Sequence, residues 1–126
     1  AGRRATALAP NELEAHYNLG LALTDKGEWD AAIRAYRRAL KLNPNLPASI
    51  LELGQLKFEA GDNAAALDYL KRFEKMSKPT PKQLWLGIRL QRILGDQNKV
   101  ASYELQLKNM FPGSPEYQAY KASRNP

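Results

Sequence analysis

Residues able to do covalent or metal chemistry are scarce in this sequence. It contains one histidine, His16, and no cysteine. A Ser–His–Asp triad would have to use that one imidazole, which has no cysteine and no pair of acids on its predicted helix face. No glycine-rich phosphate loop follows a strand pattern, and no spacing typical of zinc ligands occurs. The sequence therefore predicts a non-catalytic protein with no cofactor and no metal.

Charge is distributed unevenly along the chain. The formal net charge is +6, and residues 81–126 carry seven basic and three acidic side chains. Such an excess suits an acidic partner or a phosphate surface. However, no basic stripe is interleaved with stacking aromatic residues, as proteins that bind single-stranded nucleic acids require. We therefore expect a solvated, slightly basic helical surface and no nucleic-acid partner.

The chain has the length of a single domain, and no apolar run approaches the roughly 18 residues of a membrane span. No signal peptide opens the sequence. We expect either a cytoplasmic protein or a chain whose targeting segment has been removed.

The sequence repeats itself with a period of 34 residues. Gly20 recurs as Gly54, and Ala32 recurs as Ala66. Turn-forming glycines keep the same period and each precedes an acid, in the pairs Gly27-Glu28, Gly61-Asp62 and Gly95-Asp96. A period of about 34 residues with small residues inside paired helices is typical of tetratricopeptide repeats (TPRs). The pattern predicts an all-α TPR solenoid of antiparallel helix pairs, with about three repeats and a C-terminal capping helix.

The period sets the boundaries within one predicted TPR domain, residues 1–126. Repeat one covers residues 13–46, repeat two 47–80 and a degenerate repeat three 81–113, and residues 114–126 form a capping helix and tail. Residues 3–11 align with residues 37–45, so residues 1–12 are predicted to end a preceding repeat, and a new helix starts near Asn11 or Glu12. The chain is then a fragment of a longer array, whose cut end is expected to fray or to self-associate.

Helical spacing also predicts which residues are buried. His16, Leu19, Gly20 and Leu23 share one face of the first helix. We expect His16 to be a core residue and Gly20 to let the second helix approach closely. Trp29 is predicted to be a core residue at the turn. The second helix, residues 30–42, should bury Ala32, Ile33, Tyr36, Ala39 and Leu40.

A further helix is predicted at the C-terminal end. Ser114 suits an N-cap, and Pro115 suits the first helical position. The helix over residues 115–123 would lay Tyr117 and Tyr120 over the last repeat. Solenoids need such a cap for solubility.

The predicted binding surface is the concave groove that the first helices of TPR repeats line. It would hold an extended or helical segment of a partner protein through a few apolar anchors and charge pairing at its rim. Arg89 and Arg92 would orient an acidic stretch, and Trp85 is either an anchor in the groove or buried against the second repeat. The candidate groove residues are Tyr17, Asn18, Leu21, Leu51, Glu52, Gln55, Phe58, Trp85, Arg89 and Arg92.

Four short motifs in the C-terminal half carry a more specific resemblance. They are Leu-Gly-Ile-Arg-Leu at 86–90, Ala-Ser-Tyr at 101–103, Leu-Gln-Leu-Lys at 105–108 and Pro-Gly-Ser at 112–114. Their order resembles the end of the type IV pilus biogenesis lipoproteins PilF and PilW. This resemblance implies a pilotin-like scaffold at the periplasmic face of the outer membrane that assists the pilus secretin. The lipid-bearing cysteine of that family is absent from this sequence, so a membrane anchor would lie outside it.

Two functions from different classes stay open at this point. Residues 84–118 favour a pilus-assembly scaffold with a secretin subunit as partner. Residues 13–80 alone favour a generic peptide-binding TPR adaptor in another complex, with a cytoplasmic location. Nucleic-acid binding through the basic C-terminal end is the third and weakest alternative.

Overall fold

Seven α-helices make up the part of the chain that the structure describes. The computed structural model describes the backbone of residues 2–124 and the side chains of residues 12–124. The helices are α1 (Gly2–Asp25), α2 (Trp29–Leu42), α3 (Pro47–Glu59), α4 (Asn63–Met76), α5 (Pro81–Leu94), α6 (Gln97–Met110) and α7 (Pro115–Arg124). No strand occurs within residues 2–124. The predicted all-α class is confirmed.

The helices form two compact units, Ala1–Met76 and Ser77–Pro126. In the first unit α1 packs on α2, α2 on α3 and α3 on α4. In the second unit α5 packs on both α6 and α7. Because short turns join the packed pairs α1–α2, α3–α4 and α5–α6, the helices of each pair run antiparallel, as predicted.

The turn inside each helix pair is built in the same way three times. A glycine with left-handed backbone ends the first helix, with φ of 77° at Gly27 and 83° at Gly61 and Gly95. The next amide then donates to the carbonyl five residues back, in the bonds Glu28–Leu23 (2.9 Å), Asp62–Lys57 (2.9 Å) and Asp96–Gln91 (3.1 Å). Glycine adopts this conformation without the steric cost that a Cβ brings. The glycines that recur every 34 residues at 27, 61 and 95 thus end the first helix of each pair.

The acid after the glycine starts the next helix in two of the three turns. Asp62 Oδ1 accepts from the Ala65 amide and Asp96 Oδ1 from the Lys99 amide, both at 3.1 Å. Glu28 makes no such side-chain cap. Aspartate is short enough to reach an amide three residues on, so it is among the strongest N-cap residues.

A glycine lies under a tyrosine ring at the centre of two helix pairs. A Cβ added at Gly20 would lie 2.5–2.7 Å from the Tyr36 ring, and one added at Gly87 would lie 2.7–3.0 Å from the Tyr103 ring. Both tyrosines are buried. In each pair the ring therefore occupies the space that a side chain at the glycine would need.

Each unit has its own apolar core. In the first, Ala32, Ile33, Tyr36, Leu53 and Leu56 are buried together, with Tyr17, Leu23, Leu40 and Tyr69 packed around them. In the second, Leu84, Ile88, Val100, Tyr103, Leu107 and Tyr120 are buried, with Trp85, Phe111 and Tyr117 packed around them. Helix α7 contributes Tyr117 and Tyr120, so the predicted capping of the last repeat is confirmed. The predicted N-cap is also present, because Ser114 Oγ accepts from the Tyr117 amide at 3.1 Å.

Helix α1 begins earlier than predicted. It is one helix from Gly2 to Asp25, so the predicted start near Asn11 or Glu12 is wrong. Alanine and leucine, the strongest helix formers, fill four of the five positions from 5 to 9 and favour continuation. The side chains of residues 1–11 lie outside the described residues, and the assignment of residues 1–12 to a preceding repeat, with its self-association, stays a prediction.

Two apolar side chains expected inside the first unit lie at its surface. Leu19 is 47% exposed and Trp29 is 42% exposed, while His16 is only partly buried. Helix α1 packs on α2 through the face that holds Gly20, and Leu19 lies outside that contact. Trp29 is the first residue of α2 and borders a shallow surface pocket with Arg34 and Ala60.

We expect Gly20→Leu to destabilise the first unit. The new side chain must displace the buried Tyr36 ring, and such overpacking costs about 1–3 kcal/mol of unfolding free energy. Gly113→Ala is the control, because no atom lies within 4 Å of a Cβ added there. Urea unfolding of the full chain measures both variants. Equal unfolding free energies for wild type and Gly20→Leu would contradict the proposed contact.

Candidate functional site

The first unit presents a mixed surface on the first helices of its two pairs. We call the α1/α3 face the set Tyr17, Asn18, Leu21, Gln55 and Phe58. Asn18 and Leu21 are exposed, Leu21 by 37%. Tyr17, Gln55 and Phe58 are partly buried, and Gln55 Nε2 donates to Glu59 Oε1 at 2.8 Å. This face combines accessible apolar atoms with hydrogen-bonding groups, as peptide-binding surfaces do.

Leu51 and Glu52 were predicted to face the groove, but both are buried with only 7% exposure. Helix α3 is buried on almost every side, because residues 49–54 and Leu56 all belong to its buried set. Leu51 is therefore a packing residue in this structure, and Glu52 acts on the site through its charge.

Tyr17, Tyr36 and Glu52 form an electrostatic cluster beside the α1/α3 face. The Tyr17 and Tyr36 rings lie 5.7 Å apart, tilted by 56°. Burial, and then the Glu52 carboxylate, raise the pKa of Tyr17. Burial raises the pKa of Tyr36 to about 12, the Thr24 hydroxyl opposes the rise in part, and Glu52 adds to it. Both phenols consequently stay protonated at neutral pH.

The Tyr36 hydroxyl is buried without a hydrogen-bond partner of good geometry among the described residues. The Thr24 hydroxyl donates to the Gly20 carbonyl at 2.8 Å. A buried polar group without a bond costs about 1–3 kcal/mol. The Tyr36 ring thus fits closely against Gly20, while its buried hydroxyl lowers the stability of the fold.

A small pocket of about 200 Å³ adjoins Tyr17. It is lined by Leu13 and Glu14 of α1, and by Leu46 and Ala48 at the start of α3. An apolar cavity of about 150 Å³ is enough to hold a benzene ring, so this pocket has room for one large apolar side chain. Leu13 and Leu46 were not predicted as site residues. The signal that could have found Leu13 is its position one helical turn before Tyr17.

In the second unit, the structure brings Trp85, Arg89 and Arg92 together against the capping helix. Trp85 is partly buried and meets the Tyr120 ring edge-on, with 6.4 Å between ring centroids. The guanidinium carbons of Arg89 and Arg92 lie 4.9 and 5.9 Å from the Trp85 ring centroid. Arg92 also donates to Ser123 Oγ at 3.1 Å.

These contacts give the three residues a structural role in the second unit. Cation–π contacts of this length contribute about 0.5–1 kcal/mol each at exposed sites. Trp85 therefore packs against α7, both arginines lie over its ring, and Arg92 also contacts Tyr120 and Ser123 of α7. Their predicted role in orienting an acidic stretch of a partner stays a prediction.

The described residues hold no cluster of three or more histidine, cysteine or acidic side chains that could bind a metal ion. Within the same residues, no helix combines the length and the apolar character that crossing a membrane requires.

Residues 13–46, α1 from Leu13 onward with all of α2, match the family model of the tetratricopeptide repeat. The matched span is the predicted repeat one. The chain therefore contains a TPR. Its fold class, predicted from the 34-residue period, is confirmed by this match and by the helix pairs.

Proteins of type IV pilus biogenesis are similar to this TPR chain over most of its length. The type IV pilus assembly protein PilF of Pseudomonas aeruginosa is 33% identical over 117 residues, which are 93% of this chain and 46% of PilF. A solved structure of P. aeruginosa PilF superposes with a TM-score of 0.81, over 93% of this chain and 53% of that one. The structure of PilW, a type IV pilus biogenesis factor, is 28% identical with a TM-score of 0.74, over 86% of this chain and 50% of that one.

A shorter similarity links the TPR chain to another assembly protein. The photosystem I assembly protein Ycf3 of Acaryochloris marina is 37% identical over 60 residues, 45% of this chain and 36% of Ycf3. The TPR chain thus spans about half the length, or less, of the curated relatives it matches.

We expect Tyr36→Phe to leave the unfolding free energy at pH 7 unchanged or higher, because the removed hydroxyl is buried without a hydrogen-bond partner of good geometry among the described residues. Above pH 10 the difference should grow. The unfolded tyrosine ionises near pH 10 while the folded one, with a pKa of about 12, holds its proton, so wild-type stability falls between these values.

Urea unfolding of both proteins from pH 7 to pH 12 measures this gap. A gap that does not change with pH would contradict the raised pKa of Tyr36. A clear loss of stability in Tyr36→Phe at pH 7 would show that its hydroxyl is bonded in solution.

Proposed function

We propose that this TPR protein is a non-catalytic interaction scaffold of type IV pilus assembly. The observation that carries the proposal is the similarity to PilF, at 33% identity and a TM-score of 0.81 over 93% of this chain. The similarity in sequence extends over both units, so it supports a shared role more strongly than a similar fold alone would. Fold by itself does not imply function.

The partner surface in this proposal is the α1/α3 face. Leu21, Tyr17 and Phe58 supply apolar and aromatic area, and the adjoining pocket of about 200 Å³ receives one apolar side chain. A few such anchors supply most of the binding energy of an interface. The partner segment therefore carries apolar side chains at helical or extended spacing.

The charge of this surface selects the polar part of the partner. Exposed acids border it at Glu14, Asp25 and Glu59. The described part of α1 has no lysine or arginine, and α3 has one, Lys57. Complementary potentials speed encounter and reject wrong partners. We infer that the segment bound here is apolar with flanking basic residues, whereas the sequence alone predicted an acidic stretch.

In the finer form of the proposal, the partner is a subunit of the pilus secretin and the protein acts as a pilotin. This form follows the resemblance to PilF and PilW and would place the protein at the periplasmic face of the outer membrane. The alternative is a TPR adaptor of another complex, supported by the similarity to the photosystem I assembly protein Ycf3.

A matched pair of leucines tests the α1/α3 face. Leu21 and Leu19 lie on the same helix with similar exposure, 37% and 47%, but two residues apart they point to different sides. We expect Leu21→Ala to weaken binding of the full chain to the purified secretin subunit about tenfold, a loss of about 1.4 kcal/mol. Leu19→Ala should bind like wild type, and isothermal titration calorimetry measures all three.

Equal affinities for Leu21→Ala and wild type would remove the α1/α3 face from the interaction. No binding of the secretin subunit by the wild-type chain would contradict the pilotin form and leave the adaptor alternative as the better explanation.

A further inference from the structure

A second surface lies in the other unit, in a cleft between α6 and α7. Helix α7 packs on α5, and the space left beside α6 measures about 510 Å³. We call this space the α6/α7 cleft. Its principal lining side chains are Glu104, Leu105 and Lys108 of α6, and Tyr117, Lys121 and Arg124 of α7.

The one acid of the α6/α7 cleft is engaged within the protein. Tyr120 donates its hydroxyl hydrogen to Glu104 Oε2 at 2.6 Å, and Arg124 donates to the same hydroxyl oxygen at 3.1 Å. Burial, and next the bond to Glu104, raise the pKa of Tyr120, so this donor keeps its proton at neutral pH. Glu104 is therefore held at the side of the cleft by α7.

Two of the three cations of the α6/α7 cleft lie over tyrosine rings. The Lys121 ammonium lies 5.0 Å from the centroid of the Tyr117 ring. The Arg124 guanidinium lies 5.9 Å from that of Tyr120. No described acid pairs with Lys108 or Lys121, although both line one open space. Three cations face one engaged carboxylate, so the cleft carries an excess positive charge.

An apolar side chain stands among these cations. Leu105 is 60% exposed and lines the α6/α7 cleft one turn from Lys108 on the same helix. An exposed leucine alone needs no explanation, since much of any protein surface is apolar. Here it adds an apolar contact to a concave, basic surface, a combination that fits an amphipathic ligand.

We propose that the α6/α7 cleft binds an acidic, amphipathic segment of a partner protein. Its acidic side chains would pair with Lys108, Lys121 and Arg124, and an apolar side chain would cover Leu105. The proposal goes beyond the scaffold function above, because this surface is in the other unit and selects the opposite charge from the α1/α3 face.

The ring geometry favours a peptide over a nucleic acid. Proteins that bind single strands present free aromatic faces on which bases stack. Tyr120 is only 5% exposed. Tyr117 stacks on Tyr120 with 5.9 Å between centroids and has Lys121 over its ring. Both rings are thus already occupied by contacts within the unit.

The probe follows from the length of the α6/α7 cleft. Helix α7 has 10 residues, so the cleft runs for roughly 15 Å and matches about three helical turns. A fluorescein-labelled helical peptide of roughly that length, with glutamates on one face and leucines on the other, is titrated with the full chain. We expect saturable binding by fluorescence anisotropy, and none for the peptide with glutamine in place of glutamate.

Three variants locate the binding. Lys108→Glu combined with Lys121→Glu should raise the Kd of the glutamate peptide at least about tenfold. Leu105→Ala should raise it about threefold, since truncating a side chain at the rim of an interface costs about 1 kcal/mol or less. Lys99→Glu is the control for one charge reversal outside the cleft, because Lys99 is an exposed lysine of the same helix that does not line the cleft. Its Kd should stay within about twofold of wild type.

Each other result overturns the proposal. Unchanged affinity in the double variant would place the bound peptide outside the α6/α7 cleft, and an equal loss in Lys99→Glu would show attraction to net charge alone. Competition by oligothymidylate at equal concentration would assign the α6/α7 cleft to nucleic acid. Dimers in sedimentation that disappear in the double variant would assign it to a second copy of this chain. None of these outcomes depends on binding of the secretin subunit.

Discussion

A tyrosine ring lying on a glycine sets the spacing of a helix pair in each unit. In the first unit the Tyr36 ring fills the position that a Cβ of Gly20 would occupy, and in the second the Tyr103 ring does so at Gly87. Overpacking a close-packed core is destabilising, so the glycine cannot be exchanged without moving the ring. The contact therefore fixes how close the two helices lie, and the outer faces of those helices depend on that distance.

The degenerate third repeat keeps this contact by a compensating shift. Gly87 comes one residue earlier than the 34-residue period predicts from Gly20 and Gly54. Tyr103 shifts with it, because Gly20 and Tyr36 are 16 residues apart, as are Gly87 and Tyr103. The turn glycine Gly95 keeps the strict period. The α1–α2 and α5–α6 pairs thus share the glycine–ring contact, and the packing of the third repeat is more regular than its sequence register indicates.

The units present opposite chemistry at their surfaces. The α1/α3 face is apolar with acids around it, and the α6/α7 cleft is basic with one exposed leucine. The formal net charge of +6 conceals this division. A scaffold that brings proteins together gains specificity when its surfaces select different partners by charge.

Sequence reasoning predicted the features that the backbone repeats. Glycines at turns, the Gly20 contact, the inward face of α2 and the capping helix with Ser114 follow from local rules of helix ends and spacing. It failed where burial depends on neighbouring elements. Leu51 occupies a groove position by count but is buried because α3 is covered on nearly all sides. Trp29 has a large apolar side chain of the kind that cores contain, yet at the first position of α2 it is exposed.

The contacts of the candidate site were the hardest to predict. Helical spacing places Arg89 and Arg92 on the same face of α5 as Trp85. The bond from Arg92 to Ser123 of α7 joins residues 31 positions apart, and no periodicity encodes it. The α6/α7 cleft arises because α7 packs on α5, which only the tertiary structure shows.

A double-mutant cycle at Gly87 and Tyr103 tests most directly whether the glycine–ring contact sets the helix spacing. The unfolding free energy is measured for Gly87→Ala, Tyr103→Leu and the double variant. If the ring is what the new methyl group meets, Gly87→Ala costs less in the Tyr103→Leu background, by a coupling energy of about 1 kcal/mol or more. Additive effects, agreeing within about 0.3–0.5 kcal/mol, would contradict the account.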